Sequence, residues 1–163
     1  MNQKICIYCN VGHFTEIFEI QLEIAQQHLD RGDIVEFLFC DGFVPICEIN
    51  INKKIETCLY CIGRRNSGIS LLKGKVIKKS LIQFSKIEDS SKVQSLRTVF
   101  KDLKDLSNYK LEDFSIGKSV YSSIADIKRE HLPKVDEYRS EISKFIKAAG
   151  RIYFCMINYI KKR

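Results

Sequence analysis

The chain has 163 residues, ordinary hydrophobic content at 45% and a net charge of +7. No run reaches the roughly 18 apolar residues of a membrane-spanning helix. The first residues, Met-Asn-Gln-Lys, lead directly into a strand pattern without a secretory leader layout, so the expected location is the cytoplasm. There thiols stay reduced, and seven cysteines point to metal, catalysis or packing before disulfides.

The charge is uneven. Residues 1–63 hold four Lys/Arg and nine Asp/Glu, whereas residues 64–163 hold 23 and 11. A basic later part suits an anionic partner such as nucleic acid, a phosphorylated sugar carrier or a membrane surface. A solvated lysine-rich surface accounts for it equally well. The basic part lacks the interleaved aromatics that stack on bases, which argues against nucleic acid.

Ile5-Cys6-Ile7-Tyr8-Cys9 reads as a short buried strand. A single-glycine turn, Asn10-Val11-Gly12-His13, follows it. Phe14, Ile17, Phe18, Leu22, Ala25 and Leu29 then share one face of a helix, with Glu16, Glu19 and Glu23 early, where the macrodipole favours acids. Arg31-Gly32 closes that helix. Ile34 to Phe39 is nearly continuous apolar sequence, as in a strand covered on both faces. Strand, helix and strand at these lengths form a βαβ unit with parallel strands, whose carboxyl edge is where open α/β sheets hold ligands.

Residues 43–57 are expected to be irregular, with Ile49-Asn50-Ile51 a candidate short edge strand. Thr57 to Leu72 reads as helix and Val76 to Phe84 as a third strand. Asp89-Ser90-Ser91 is a cap-like turn before a helix spaced by Val93, Leu96, Val99, Phe100, Leu103 and Leu106. Phe114 to Gly117 is a turn, and Ser119 to Glu130 a further helix. A long helix is expected from Val135 to the end, with a stripe of Ile142, Phe145, Ile146, Ala149, Tyr153, Met156, Ile157 and Ile160. The fold class is therefore α/β, a parallel sheet flanked by helices with a helical C-terminal half, in a single domain over residues 1–163.

Candidate chemistry begins with the cysteines. Cys58 and Cys61 have the C-x2-C spacing that lets two thiolates reach one ion. Cys40 and Cys47 stand across a loop able to fold back, so the four form a candidate site for zinc or an iron–sulfur cluster. Burial as small apolar side chains is the alternative. Cys6 reads as core, and Cys9 is a candidate to join the cluster. Gly12-His13-Phe14-Thr15 lacks the glycines of a dinucleotide fingerprint and the lysine of a phosphate loop. His13 and Thr15 would face the crevice, where His13 is a candidate base for a sugar hydroxyl, or a helix cap. Arg64 and Arg65 are candidates to hold phosphate bidentately. His28 reads as packed on its helix and His131 as surface. Ser119, Ser122 and Ser123 have no base nearby in sequence.

These residues together resemble the N-terminal part of a bacterial family of capsule or surface polysaccharide biosynthesis proteins, which are similar to two-domain glycosyltransferases of the GT-B type. The likeness rests on Gly12-His13 opening a helix that ends at Arg31-Gly32-Asp33 before Val35. It continues through Cys40-Asp41-Gly42, Cys47, Cys58 and Cys61 with Arg64 soon after, and through Gly117 with Ser122-Ser123 leading to Arg129. The resemblance implies a Rossmann-like domain on the acceptor side of a sugar transfer. His13 would lie near the acceptor hydroxyl, with Gly12 and Thr15 beside it and Arg64 and Arg65 near phosphate. The partner would be a sugar or a lipid-linked saccharide at the inner face of the membrane. The chain stops after a helix at Arg163, where such a protein runs on into further strands. A nucleotide-sugar donor would need a second domain or a second chain. The alternative function is a non-enzymatic, cysteine-rich metal-binding module that recognises an anionic partner.

Overall fold

In the computed structural model, which describes residues 3–9 and 16–163, the chain alternates strand and helix and then becomes helical. The order is β1 (Lys4–Cys9), α1 (Glu16–Asp30), β2 (Ile34–Phe39), α2 (Ile55–Ser70), β3 (Val76–Ser80), a 3-10 turn (Leu81–Phe84), α3 (Ile87–Gln94), α4 (Leu103–Ser107), α5 (Ile116–Lys128) and α6 (Arg139–Lys161). The chain divides into two compact units. Residues 1–43 and 53–84 form the first, and residues 44–52 and 85–163 the second.

The first unit is a three-stranded parallel sheet in the order β1-β2-β3 with α1 and α2 as crossovers. Its register pairs Cys9 with Phe39 and Phe39 with Ser80. Side chains alternate along a strand, so Cys9, Val35, Phe37 and Phe39 share a face. They form one buried cluster with Phe18 and Ala25 of α1 and Ile69 of α2. Phe37 and Phe39 stack with centroids 5.8 Å apart. Ile7, Leu22, Leu29, Leu72 and Val76 pack against the same cluster. α1 ends as its sequence predicts. Gly32 takes φ 82°, and its N–H donates to the Leu29 carbonyl at 2.9 Å. The Gln26 amide then ties α1 to the connection before β3. It donates to the Lys73 carbonyl and accepts from the Lys73 N–H at 2.7 Å.

The opposite sheet face carries a charge inside an apolar strand. Glu36 is fully buried, and Lys4 and Lys79 bring their Nζ atoms within 3.2 and 3.0 Å of its Oε2. A buried carboxylate needs such partners, because its desolvation is otherwise uncompensated.

The second unit is built on α5 and α6. Gly117 sets its closest approach, since a Cβ there would fall 1.7 Å from the Leu106 carbonyl oxygen. The Gly117 N–H donates to the Tyr109 carbonyl at 3.0 Å in the same contact. α5 stops at Arg129, which is left-handed at φ 53°, and Glu130 N–H closes the end on Ala125 O.

Four local expectations change. Ile49-Asn50-Ile51 is not a strand. Asn50 is buried and its N–H closes a turn on Cys47 O at 3.0 Å, leaving one isolated bridge between those two residues. Val93 to Leu106 is not one helix. Asp89 lies inside α3, and residues 95–102 leave the helical path, held by Arg97, whose backbone N–H donates to Tyr109 Oη and whose Nε donates to Val99 O. Asp102 then caps α4, accepting from Asp105 N–H at 2.8 Å. The third strand is shorter than its apolar pattern, because the chain tightens into the 3-10 turn at Leu81. On α6 the buried face turns from Ile142, Phe145 and Ile146 to Ala148, Cys155, Asn158 and Tyr159. Tyr153 instead stacks on Phe114 and donates from its hydroxyl to Glu112.

Candidate functional site

Parallel strands end together, so the carboxyl edge of the first unit gathers the ends of β1, β2 and β3 at Cys9, Phe39 and Ser80. Beyond Phe39 the chain turns sharply. Asp41 and Gly42 take φ 48° and 72°, and Phe43 N–H donates back to Cys40 O at 2.9 Å. A Cβ on Gly42 would lie 3.7 Å from Cys58 Sγ, so α2 passes close to this turn.

Cys58, Cys61, Arg65 and Ile69 recur three and four residues apart on α2, and of these Arg65 and Ile69 are buried. Arg65 is buried, with its guanidinium carbon 4.0 Å from the Phe39 ring centroid. The aromatic face and the cation attract. Nη1 donates to Asp41 Oδ1 at 2.5 Å, and Nη2 to Asn66 Oδ1 at 3.2 Å. Among the described residues Nε is buried with no hydrogen-bond partner, and so is Ser80 Oγ, whose residue is the register neighbour of Phe39. Arg64, one step round the helix, pairs with Glu19 of α1 instead. The two adjacent arginines thus act differently: one joins two helices, the other reaches the end of β2.

Of the site residues expected from sequence, Gly12, His13 and Thr15 lie outside the described residues. Arg64 and Arg65 are each engaged by a carboxylate. Cys40, Cys58 and Cys61 belong to the first unit and Cys47 to the second. Zinc and iron–sulfur sites need three or four protein ligands. Among the described residues no group of three or more His, Cys, Asp or Glu is placed to hold a metal ion.

The other candidates have local roles. His28 Nδ1 lies 2.8 Å from Asp33 Oδ2. That bond, with the Gln3 N–H, holds the Asp33 carboxyl below its usual pKa. Ser123 Oγ donates to Glu48 at 2.6 Å and Ser119 Oγ faces Ser115 O. Burial pushes the Cys155 thiol up to about 11, with the Asp89 charge adding to it, so it is a poor nucleophile. Sequence reasoning missed Asp41 and Ser80 as members of the edge. An Asp-Gly pair after an apolar strand marks a turn, but nothing in the sequence says which cation its carboxylate will meet.

The charge asymmetry also changes form. The first unit holds ten Lys/Arg against eight Asp/Glu and the second 17 against 12. The lysine-rich stretch Lys73 to Lys79 belongs to the first unit, which narrows the contrast. Among the described residues no helix is long and apolar enough to cross a membrane.

Comparison of the chain with family models, with curated proteins and with solved structures finds no significant match.

Proposed function

We propose that the chain supplies the acceptor side of a glycosyltransferase-like protein in bacterial capsule or surface polysaccharide synthesis, working in the cytoplasm at the inner face of the membrane. In this reading the parallel sheet is a Rossmann-like half whose ligand lies at its carboxyl edge. The observation that carries it is the β1–β2 register, which ends Cys9 and Phe39 side by side. β1 ends at that edge, and the Arg65–Asp41 pair stands at the neighbouring strand end.

The chemistry follows from the residue types. His13 accepts the proton of an acceptor hydroxyl as that oxygen attacks the anomeric carbon of a nucleotide sugar. The bond to the nucleoside diphosphate breaks, and the donor is held by another domain or a second chain. In this reading Arg65 neutralises phosphate charge on the acceptor.

The test is equilibrium binding of lipid-linked saccharides to the full-length protein, followed by transfer assays with a nucleotide sugar and His13→Asn. Binding of an acceptor, with transfer lost in the variant, supports the reading. A protein that binds no saccharide acceptor refutes it.

A further inference from the structure

Arg65 is an unusual salt-bridge partner for a purely structural role. Its guanidinium has five N–H donors. Asp41 takes one and Asn66 another, each through a single hydrogen bond. Among the described residues the Nε–H is buried with no acceptor, although a buried donor normally finds one. Ser80 Oγ, on the strand next to Phe39, is buried and unpartnered among the described residues as well. One ring, Phe39, therefore has an unmatched cationic donor over it and an unmatched hydroxyl beside it. Both groups can donate to an anionic oxygen, and an oxyanion with several oxygens can use them together.

Asp41 is suited to leave. Its side chain is 31% exposed, whereas that of Arg65 is 9% exposed. It sits in a left-handed turn with Gly42, at a position where its carboxylate can swing to water while Arg65 stays clamped on Phe39.

We propose that Arg65 is a phosphate receptor at the carboxyl edge and that Asp41 is its resident surrogate ligand. A diphosphate group displaces the Asp41 carboxylate from Nη1 with one phosphoryl, while the other reaches round the guanidinium to Nε–H and the Ser80 hydroxyl. The empty site is thereby kept neutral, and only a ligand with more negative charge than one carboxylate opens it. This deepens the acceptor-side reading above, from which it takes the ligand's class.

The experiment is isothermal titration of the full chain with pyrophosphate in phosphate-free buffer. Asp41→Asn keeps the shape and removes the competing charge. It is expected to bind at least about tenfold more tightly than the unsubstituted protein. Asp41→Gly, compatible with the left-handed backbone, should show the same gain. Adding Arg65→Lys, which keeps the charge but loses the fork, should cancel it. Adding Ser80→Ala should weaken binding by about threefold. No gain in either folded Asp41 variant overturns the proposal, as does a gain that survives Arg65→Lys. Pyrophosphate carries no sugar, so the two readings fail separately. A gain without any saccharide binding keeps the phosphate receptor and sinks the sugar transfer. Saccharide binding without a gain does the reverse.

Discussion

Asn158 donates from Nδ2 to Asp89 Oδ2 at 2.7 Å, joining α6 to α3 through two residues that are each only 7% exposed. The other Asp89 oxygen faces Lys92 Nζ at 3.2 Å. Replacing Asn158 by Leu leaves that carboxylate oxygen buried without its donor. The expected loss is about 2 kcal/mol of unfolding free energy, read from urea denaturation. The exposed pair Lys134–Glu137 is the control, and Glu137→Gln should leave the urea midpoint unchanged.

Gly117→Ala should be far more damaging than an ordinary glycine replacement in a helix. The added methyl would meet the Leu106 carbonyl, and backbone cannot rotate away as a side chain can. Destabilisation of about 3 kcal/mol is expected, in the range of overpacked cores. A thermal melt that moves by no more than a surface Gly→Ala change would contradict the packing described.

Acid should unfold both units through identifiable carboxylates. Asp33 is lowered by its bond to His28 and by the Gln3 N–H. Asp105 is lowered first by Arg97 and then by the Lys101 N–H. A folded-state pKa below the unfolded value gives stability that is complete above the ordinary carboxylate range. That stability is lost as pH falls through the lowered values. The melting temperature should therefore decline below about pH 4. Asp33→Asn and Asp105→Asn should each flatten the decline, as followed by circular dichroism.

Thiol labelling should sort the cysteines by environment. Cys9 and Cys155 are buried, while Cys40, Cys47, Cys58 and Cys61 are partly exposed. Iodoacetamide at pH 8 should modify the second group first and Cys155 last, since its thiolate is disfavoured by burial. Mass spectrometry of tryptic peptides reads the order. Early labelling of Cys155 would mean that α6 is not packed as described.

The sheet was readable from sequence because its signals are local. Ile34 to Phe39 is apolar enough to demand cover on both faces, and Gly32 ends α1 where the pattern stops. The stretch from Val93 to Leu106 misled because its apolar spacing is helical, yet Asp102 and Arg97 satisfy backbone groups in a broken path. Periodicity carries no information about such side-chain bonds. The site was half readable. Arg65 stands out as an arginine on a helix facing a strand end, but its pairing with Asp41 spans 24 residues and depends on the turn after β2. Likewise the C-x2-C pair is real sequence, while convergence of further ligands is a property of three dimensions.

Glu36 has a consequence for how the chain finds its alignment. A slip of β2 by one position would exchange its two faces. It would drive a carboxylate among Phe18, Ala25 and Ile69 and strip Lys4 and Lys79 of their counter-charge. Misaligned pairings are thus penalised during folding, and one acidic residue acts as a registration mark for all three strands.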